Sequence, residues 1–135
     1  MSHTEGVFDD AILPFQVADT AVRGRVVRLS GALDQILTAH GFPGNVSELV
    51  GEAACLVALM GTALKFDGKL IFQMQGDGPV PMLVADYSAG GALRATAKIA
   101  DGANVDDARA IDALIGKGHV MMTIDQGPDL SLIHI

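Results

Sequence analysis

Three carboxylates, Asp67, Asp77 and Asp86, fall within or just after one stretch rich in glycine and apolar residues. Paired carboxylates are common equipment for acid–base chemistry. Each of these three, however, stands beside a glycine or at the end of an apolar run, where aspartate commonly satisfies turn backbone groups. The other groups that do chemistry are as sparse. His3, His40, His119 and His134 are scattered, and no His-x-x-x-His or Cys-x-x-Cys occurs, so no metal site is expected. The only cysteine, Cys55, lies in the apolar run Ala53–Met60 and reads as a small buried hydrophobe with a raised pKa. Gly61 and Gly68-Lys69 miss the phosphate-loop spacing, and Leu70 stands where that loop needs a hydroxyl. There is no Gly-x-Ser-x-Gly elbow. No catalytic residue and no enzyme activity are expected.

Composition narrows the partners. The chain has 135 residues, half of them apolar, which allows one domain with a sizeable core. A net charge of −7 argues against general nucleic-acid binding. Arg23, Arg25 and Arg28 form the one local basic cluster and read as the solvated side of a strand. The N-terminal residues show no secretory pattern. The longest apolar run is far short of the roughly 17–25 residues that cross a bilayer. A lone cysteine fits a reducing compartment. The expectation is a cytoplasmic domain with no membrane and no nucleic-acid partner.

The elements follow from periodicity. Ile12–Val17 and Ala21–Leu29 read as strands, the first interrupted by Pro14; Gly24 marks a bulge or a close backbone approach. Leu33, Ile36, Leu37 and His40 form a helical stripe, with Ser30 as N-cap and Gly41 as the stop. Asn45 and Glu48 sit in capping-box positions before a second helix whose stripe is Leu49, Ala53, Leu56, Val57, Met60 and Leu64. That helix is apolar on every side from Ala53 onward, as in central burial. Gly51 and Gly61 within it are assigned to close packing.

Leu70–Met74 and Val80–Val84 flank Gln75-Gly76-Asp77-Gly78-Pro79, a hairpin pattern in which the glycines supply positive φ. A strand follows at Leu93–Ile99, a helix from Asn104 to Gly116 and a last strand with Val120, Met122 and Ile124. Hairpins with few βαβ units give an α+β fold, helices packed on a mostly antiparallel sheet.

Several stretches have a family wording. Arg23-Gly24-Arg25-Val26-Val27-Arg28-Leu29, Glu52-Ala53-Ala54, Gly61 through Gly68, the hairpin, Val84-Ala85-Asp86-Tyr87, Gly91-Ala92-Leu93-Arg94 and Thr123 through Pro128 come in order. Together they resemble the N-terminal domain of the heat shock protein 33 family, bacterial redox-regulated holdase chaperones. The resemblance implies an α+β domain that captures unfolding polypeptides on exposed apolar surface, without ATP. It further implies a separate domain holding one zinc ion on four cysteines, released on oxidation. Those cysteines are absent from this sequence, so no cofactor is expected in it.

Residues 1–129 are therefore read as the substrate-binding chaperone domain, incomplete at its C-terminal side, and residues 130–135 as a tail outside the family pattern. Flexible methionines suit surfaces that take many partners. Phe72, Met74, Met82 and Val84, on the arms of the hairpin, are the candidate client-binding residues. The expected partners are unfolding polypeptides and a second copy of the chain as a homodimer. The alternative is a structural module that self-associates through exposed sheet edges without chaperone activity.

Overall fold

The computed structural model describes residues 10–63, 67–101, 111–126 and 129–134. In chain order the elements are β1 (Ala11–Gln16), β2 (Arg23–Arg28), α1 (Gly31–His40), α2 (Gly44–Ala63), β3 (Lys69–Gly76), β4 (Met82–Ser88), β5 (Ala92–Lys98), α3 (Ile111–Ile115), β6 (Gly118–Gln126) and β7 (Asp129–His134). They make the expected α+β fold. β1 and β2 form a two-stranded antiparallel ribbon, and the others an antiparallel sheet in the order β5-β4-β3-β6-β7. The Asn104 cap, Ala108 and Leu64 of the sequence reading fall outside the described residues. β7 runs through the tail and pairs with β6, Gln126 opposite Asp129 through Met121 opposite His134.

Helix α2 is the centre of the molecule, touching the large sheet and the ribbon. Its buried residues are Val46, Leu49, Val50, Gly51, Ala53, Ala54, Val57, Ala58 and Gly61, a repeat of three and four that makes one continuous face. That face meets Leu70, Phe72 and Met74 of β3, Leu83 and Ala85 of β4, Ala95 of β5 and Met122 of β6. Burying a valine or leucine contributes about 1.5–3 kcal/mol. Several such burials outweigh the cost of two helical glycines at about 1 kcal/mol each. The expected stripe is rotated, because Leu56 stands on the far side and is exposed. By length and composition α2 could also cross a membrane, yet half of the stretch is buried inside this fold, as in a core helix.

The two glycines of α2 differ. A Cβ on Gly61 would collide with the ring of Tyr87, so close packing there is real. A Cβ on Gly51 would meet only Leu33 methyls at 3.5 and 3.8 Å, ordinary contact.

The Gly76–Pro79 loop works differently from a tight hairpin turn. The positive-φ glycines are Gly41, Gly68, Gly90, Gly91 and Gly116; Gly76 and Gly78 are not among them. Gly76 and Gly78 are required because the α3–β6 corner lies directly on their backbone. A Cβ on Gly76 would strike the Ile115 carbonyl, and one on Gly78 would sit 2.5 Å from the Leu114 carbonyl oxygen. Gly78 and Val80 N–H groups donate to the Ile115 and Leu114 carbonyls at 2.7 and 2.8 Å, and Asp77 N–H donates to Lys117 O at 3.0 Å. The Asp77 carboxylate accepts the Lys117 N–H at 2.8 Å. The segment is a clasp between distant parts of the chain.

Helix ends also depart from expectation. Ser30 stands at the N-cap of α1 but makes no side-chain cap bond. Asp10 replaces it, accepting N–H groups of Ser30 at 2.8 Å and Ala32 at 3.1 Å. The β1–β2 register, with Ala11 opposite Arg28, brings Asp10 there. Gly41 ends α1 in the left-handed conformation, φ 62°, as expected. Asn45 is no N-cap: α2 starts at Gly44, and the Ser47 N–H already donates to Pro43 O at 2.8 Å.

Candidate functional site

The four residues named from the sequence divide between two faces of the sheet. Phe72 and Met74 are 7% and 5% exposed and belong to the core beneath α2. Met82 and Val84 lie on the opposite face, half-buried, registered with Gln75 and Gln73. Alternation fixed the pairs but could not say which face the helix would cover. A capture role for Phe72 and Met74 would require α2 to lift off the sheet.

The three carboxylates are brought together even less. Asp67 precedes β3 and Asp77 follows it, which puts them roughly 30 Å apart at about 3.3 Å per residue. Asp77 holds the clasp. Asp86 is no turn residue: it sits inside β4, mostly buried, and accepts two bonds from Arg94 on β5, at 3.2 and 3.1 Å. The condition for two-carboxylate chemistry, convergence on one pocket, is not met. Among the described residues no three histidine, cysteine or acidic side chains group to hold a metal. A four-thiolate zinc site cannot be assembled from Cys55 alone.

The exposed apolar surface lies elsewhere, on the ribbon. Leu13, Phe15 and Val26 are 62%, 48% and 53% exposed, and Val17 and Val22 beside the tip are exposed as well. Leu13 pairs with Val26 and Phe15 with Gly24, so these residues share one face. Gly24 is there to admit Phe15, whose ring occupies the place a Cβ would take. Ile12 and Val27, opposite each other on the reverse face, are half-buried. The arginines were expected to form the solvated side of a strand. Arg23, Arg25 and Arg28 are indeed exposed, but Val26 is exposed too. A ribbon of two strands has two faces, and here the rest of the fold covers only one.

Local chemistry shapes this ribbon. Val17 N–H donates to Val22 O at 3.0 Å, closing the tip. Thr20 braces it, its hydroxyl donating to Val17 O at 2.8 Å and accepting Val22 N–H at 3.1 Å. Bonded and non-bonded pairs alternate along an antiparallel ladder. Counting from the Val17–Val22 pair, Phe15–Gly24 and Leu13–Val26 are bonded pairs, whereas Pro14–Arg25 and Gln16–Arg23 are not. Pro14 therefore removes no ladder bond, which is why β1 tolerates it.

A cleft of about 700 Å³ runs beside the ribbon, lined by Pro14, Phe15, Arg23, Gly24 and Arg25 and by Leu59, Met60 and Ala63 of α2. A second apolar groove, about 640 Å³, lies between α1 and α2 and includes Leu33, Leu37, Gly51, Cys55 and Leu56. Burial, and then the charge of Glu52, push the Cys55 thiol above its ordinary value. It is a protonated thiol at neutral pH, ill-suited to nucleophilic work. Sequence reasoning missed this face: Leu13 opposite Val26, with Phe15 beside them, is a grouping that only the ribbon register reveals, and nothing in the sequence marked the face as uncovered.

Comparison with known proteins bears on the family and the fold. A family profile described as Hsp33 protein matches residues 10–132. The 33 kDa chaperonin of Caulobacter vibrioides is 46% identical over 133 residues, covering 93% of this chain and 43% of that protein. The 33 kDa chaperonin of Colwellia psychrerythraea is 36% identical over 106 residues, covering 78% of this chain and 36% of that one. The crystal structure of the 33 kDa chaperonin from Thermotoga maritima has the same fold, with a TM-score of 0.74 at 17% identity, covering 94% of this chain and 46% of that one. The chain spans less than half the length of these relatives.

Proposed function

This chain belongs to the Hsp33 family, and from that premise we propose that it is an ATP-independent holdase domain that captures unfolding polypeptides on the apolar face of the β1–β2 ribbon. One observation carries the reading: Leu13, Phe15 and Val26 stay in water together on a face the fold leaves open. Leaving such side chains about half exposed forgoes part of the roughly 1.5–3 kcal/mol that full burial of each contributes, and contiguous patches of this kind mark interaction sites. Capture of this sort needs shape and apolar area, with no bond made or broken. The proposal sets the chain in a reducing cytoplasm, and capture by Leu13, Phe15 and Val26 uses no thiol.

The test is suppression of light scattering from thermally unfolding citrate synthase. The folded chain should suppress aggregation with or without peroxide. The double variant Leu13→Ser/Phe15→Ser should lose most of the effect while keeping its circular dichroism and melting curve. A folded wild-type chain that leaves aggregation unchanged would sink the proposal.

A second reading, self-association without client capture, draws on the strand order. β5 and β7 form the two edges of the large sheet, and unpaired edges invite strand exchange. Light scattering after size exclusion decides it: a monomer at micromolar concentration contradicts this reading and leaves the first one standing.

A further inference from the structure

We infer that the outer edge of β2 accepts an added strand, and that the strand it prefers is a client segment alternating apolar with acidic residues. This rests on the proposed capture by the ribbon and adds a partner chemistry to it.

Three observations converge. The first is the edge. Arg23, Arg25 and Val27 occupy non-bonded positions of the β1–β2 ladder, so their N–H and C=O groups point away from β1. No other strand pairs with β2 among the described residues.

The second is the cleft. Arg23, Gly24 and Arg25 all line it. Gly24 has no side chain to close the opening, so the cleft reaches the β2 backbone, and Pro14 of β1, opposite Arg25, borders it as well. Leu59, Met60 and Ala63 of α2 form its other wall, and Phe15 reaches it across Gly24. A strand laid along β2, about 4.8 Å away, enters this space.

The third is charge. Arg23 and Arg25 are two apart and therefore share one face, and both are exposed in a chain of net charge −7. Neither makes an ion pair among the described residues. Side chains of an added strand that stand opposite them face two guanidinium groups. The residues between these point to the other face, beside Val26 and Phe15. The matching segment has acidic residues at i and i+2 with apolar residues around them. Main-chain bonds supply the affinity of such strand addition, and alternate side chains supply the selectivity.

The experiment uses the full chain and four fluorescent nonapeptides, read by anisotropy. The first has glutamates at two central alternate positions among valines, the second lysines there, and the third and fourth are the glutamate peptide N-methylated on alternate residues in one register and in the other. The glutamate peptide should bind about ten-fold more tightly than the lysine peptide. The preference should fade at about 1 M salt, where the screening length is about 3 Å. Arg23→Glu/Arg25→Glu, two exposed substitutions, should reverse it. N-methylation should abolish binding in one register and spare it in the other. Equal binding of both charged peptides, lost in Leu13→Ser/Phe15→Ser, would overturn the inference while leaving client capture intact. Binding that survives N-methylation in both registers overturns strand addition. If no peptide binds and citrate synthase still aggregates, the capture reading fails as well.

Discussion

The carboxylate of Asp10 accepts the backbone N–H of Ser30 at 2.8 Å, and this contact fastens the ribbon to the first turn of α1. A second bond, from Ala32 N–H at 3.1 Å, completes a cap donated from twenty-two residues upstream. One side chain thus serves as helix cap and as tie between two elements.

Asp10→Ala should lower stability by about 1–2 kcal/mol, measured by urea denaturation. Asp10→Asn keeps one acceptor oxygen and should lose less than half of that. In the alanine variant the amides of β1 and β2 should exchange with solvent faster than those of β3 and β4. An unchanged exchange pattern would mean the ribbon is held by its contact with α2 alone.

The glycines of α2 should respond in opposite directions. Gly51→Ala gains helix propensity and meets Leu33 only at ordinary contact distance, so it should stabilise by up to about 1 kcal/mol. Gly61→Ala drives a methyl group into the Tyr87 ring and should destabilise by about 1–3 kcal/mol. Thermal melts of the two single variants give the comparison directly.

The clasp around Gly78 should be intolerant of added atoms. The neighbours of its absent Cβ are backbone atoms of Leu114, Ile115 and Gly116, at 2.5, 2.7 and 2.8 Å, and backbone cannot swing aside as a side-chain tip can. Gly78→Ala should cost about 3 kcal/mol. Asp77→Ala removes a bond to an exposed N–H that water can replace, and should cost only about 1 kcal/mol. A Gly78→Ala melt within a degree of wild type would show that β6 is not seated as described.

Cys55 gives the pH dependence. Burial and Glu52 raise its pKa in the folded chain above the ordinary 9.0, so the folded state holds the proton more tightly than the unfolded state. Its contribution to stability is therefore full below about pH 9. That contribution is lost as pH rises through the folded pKa. Wild type and Cys55→Ala should have urea midpoints that draw together above pH 9, the wild type falling. Iodoacetamide labelling at neutral pH should be slower than for a free thiol, and Glu52→Gln should speed it.

Local rules carried much of the fold. Period-two runs located β5 and β6, and Gly41 ended α1 by the conformation that favours glycine. What escaped was tertiary. The glycines of Gly76-Asp77-Gly78 have a type and spacing that fit a tight turn equally well, and only the arrival of Ile115 reveals their purpose. The partners of Asp10 lie twenty and twenty-two positions away, so no local pattern marks it as a cap. The exposed apolar face of the ribbon escaped for a related reason. Phe72 and Leu13 each sit in a short, mainly apolar run, and only α2 lying over one and not the other separates core from surface.

The position of β6 beside β3, on the side away from β4, sets an order of events. β3, β4 and β5 join through short connections and can pair as soon as they exist, whereas Gln75 must wait for His119. Closing that larger loop is the slow, entropically costly step. On a ribosome, β3 would emerge with one edge bare and stay so until some forty more residues had followed. A chain shaped to shelter other unfolding proteins would thus pass through an interval in which its own central strand needs shelter.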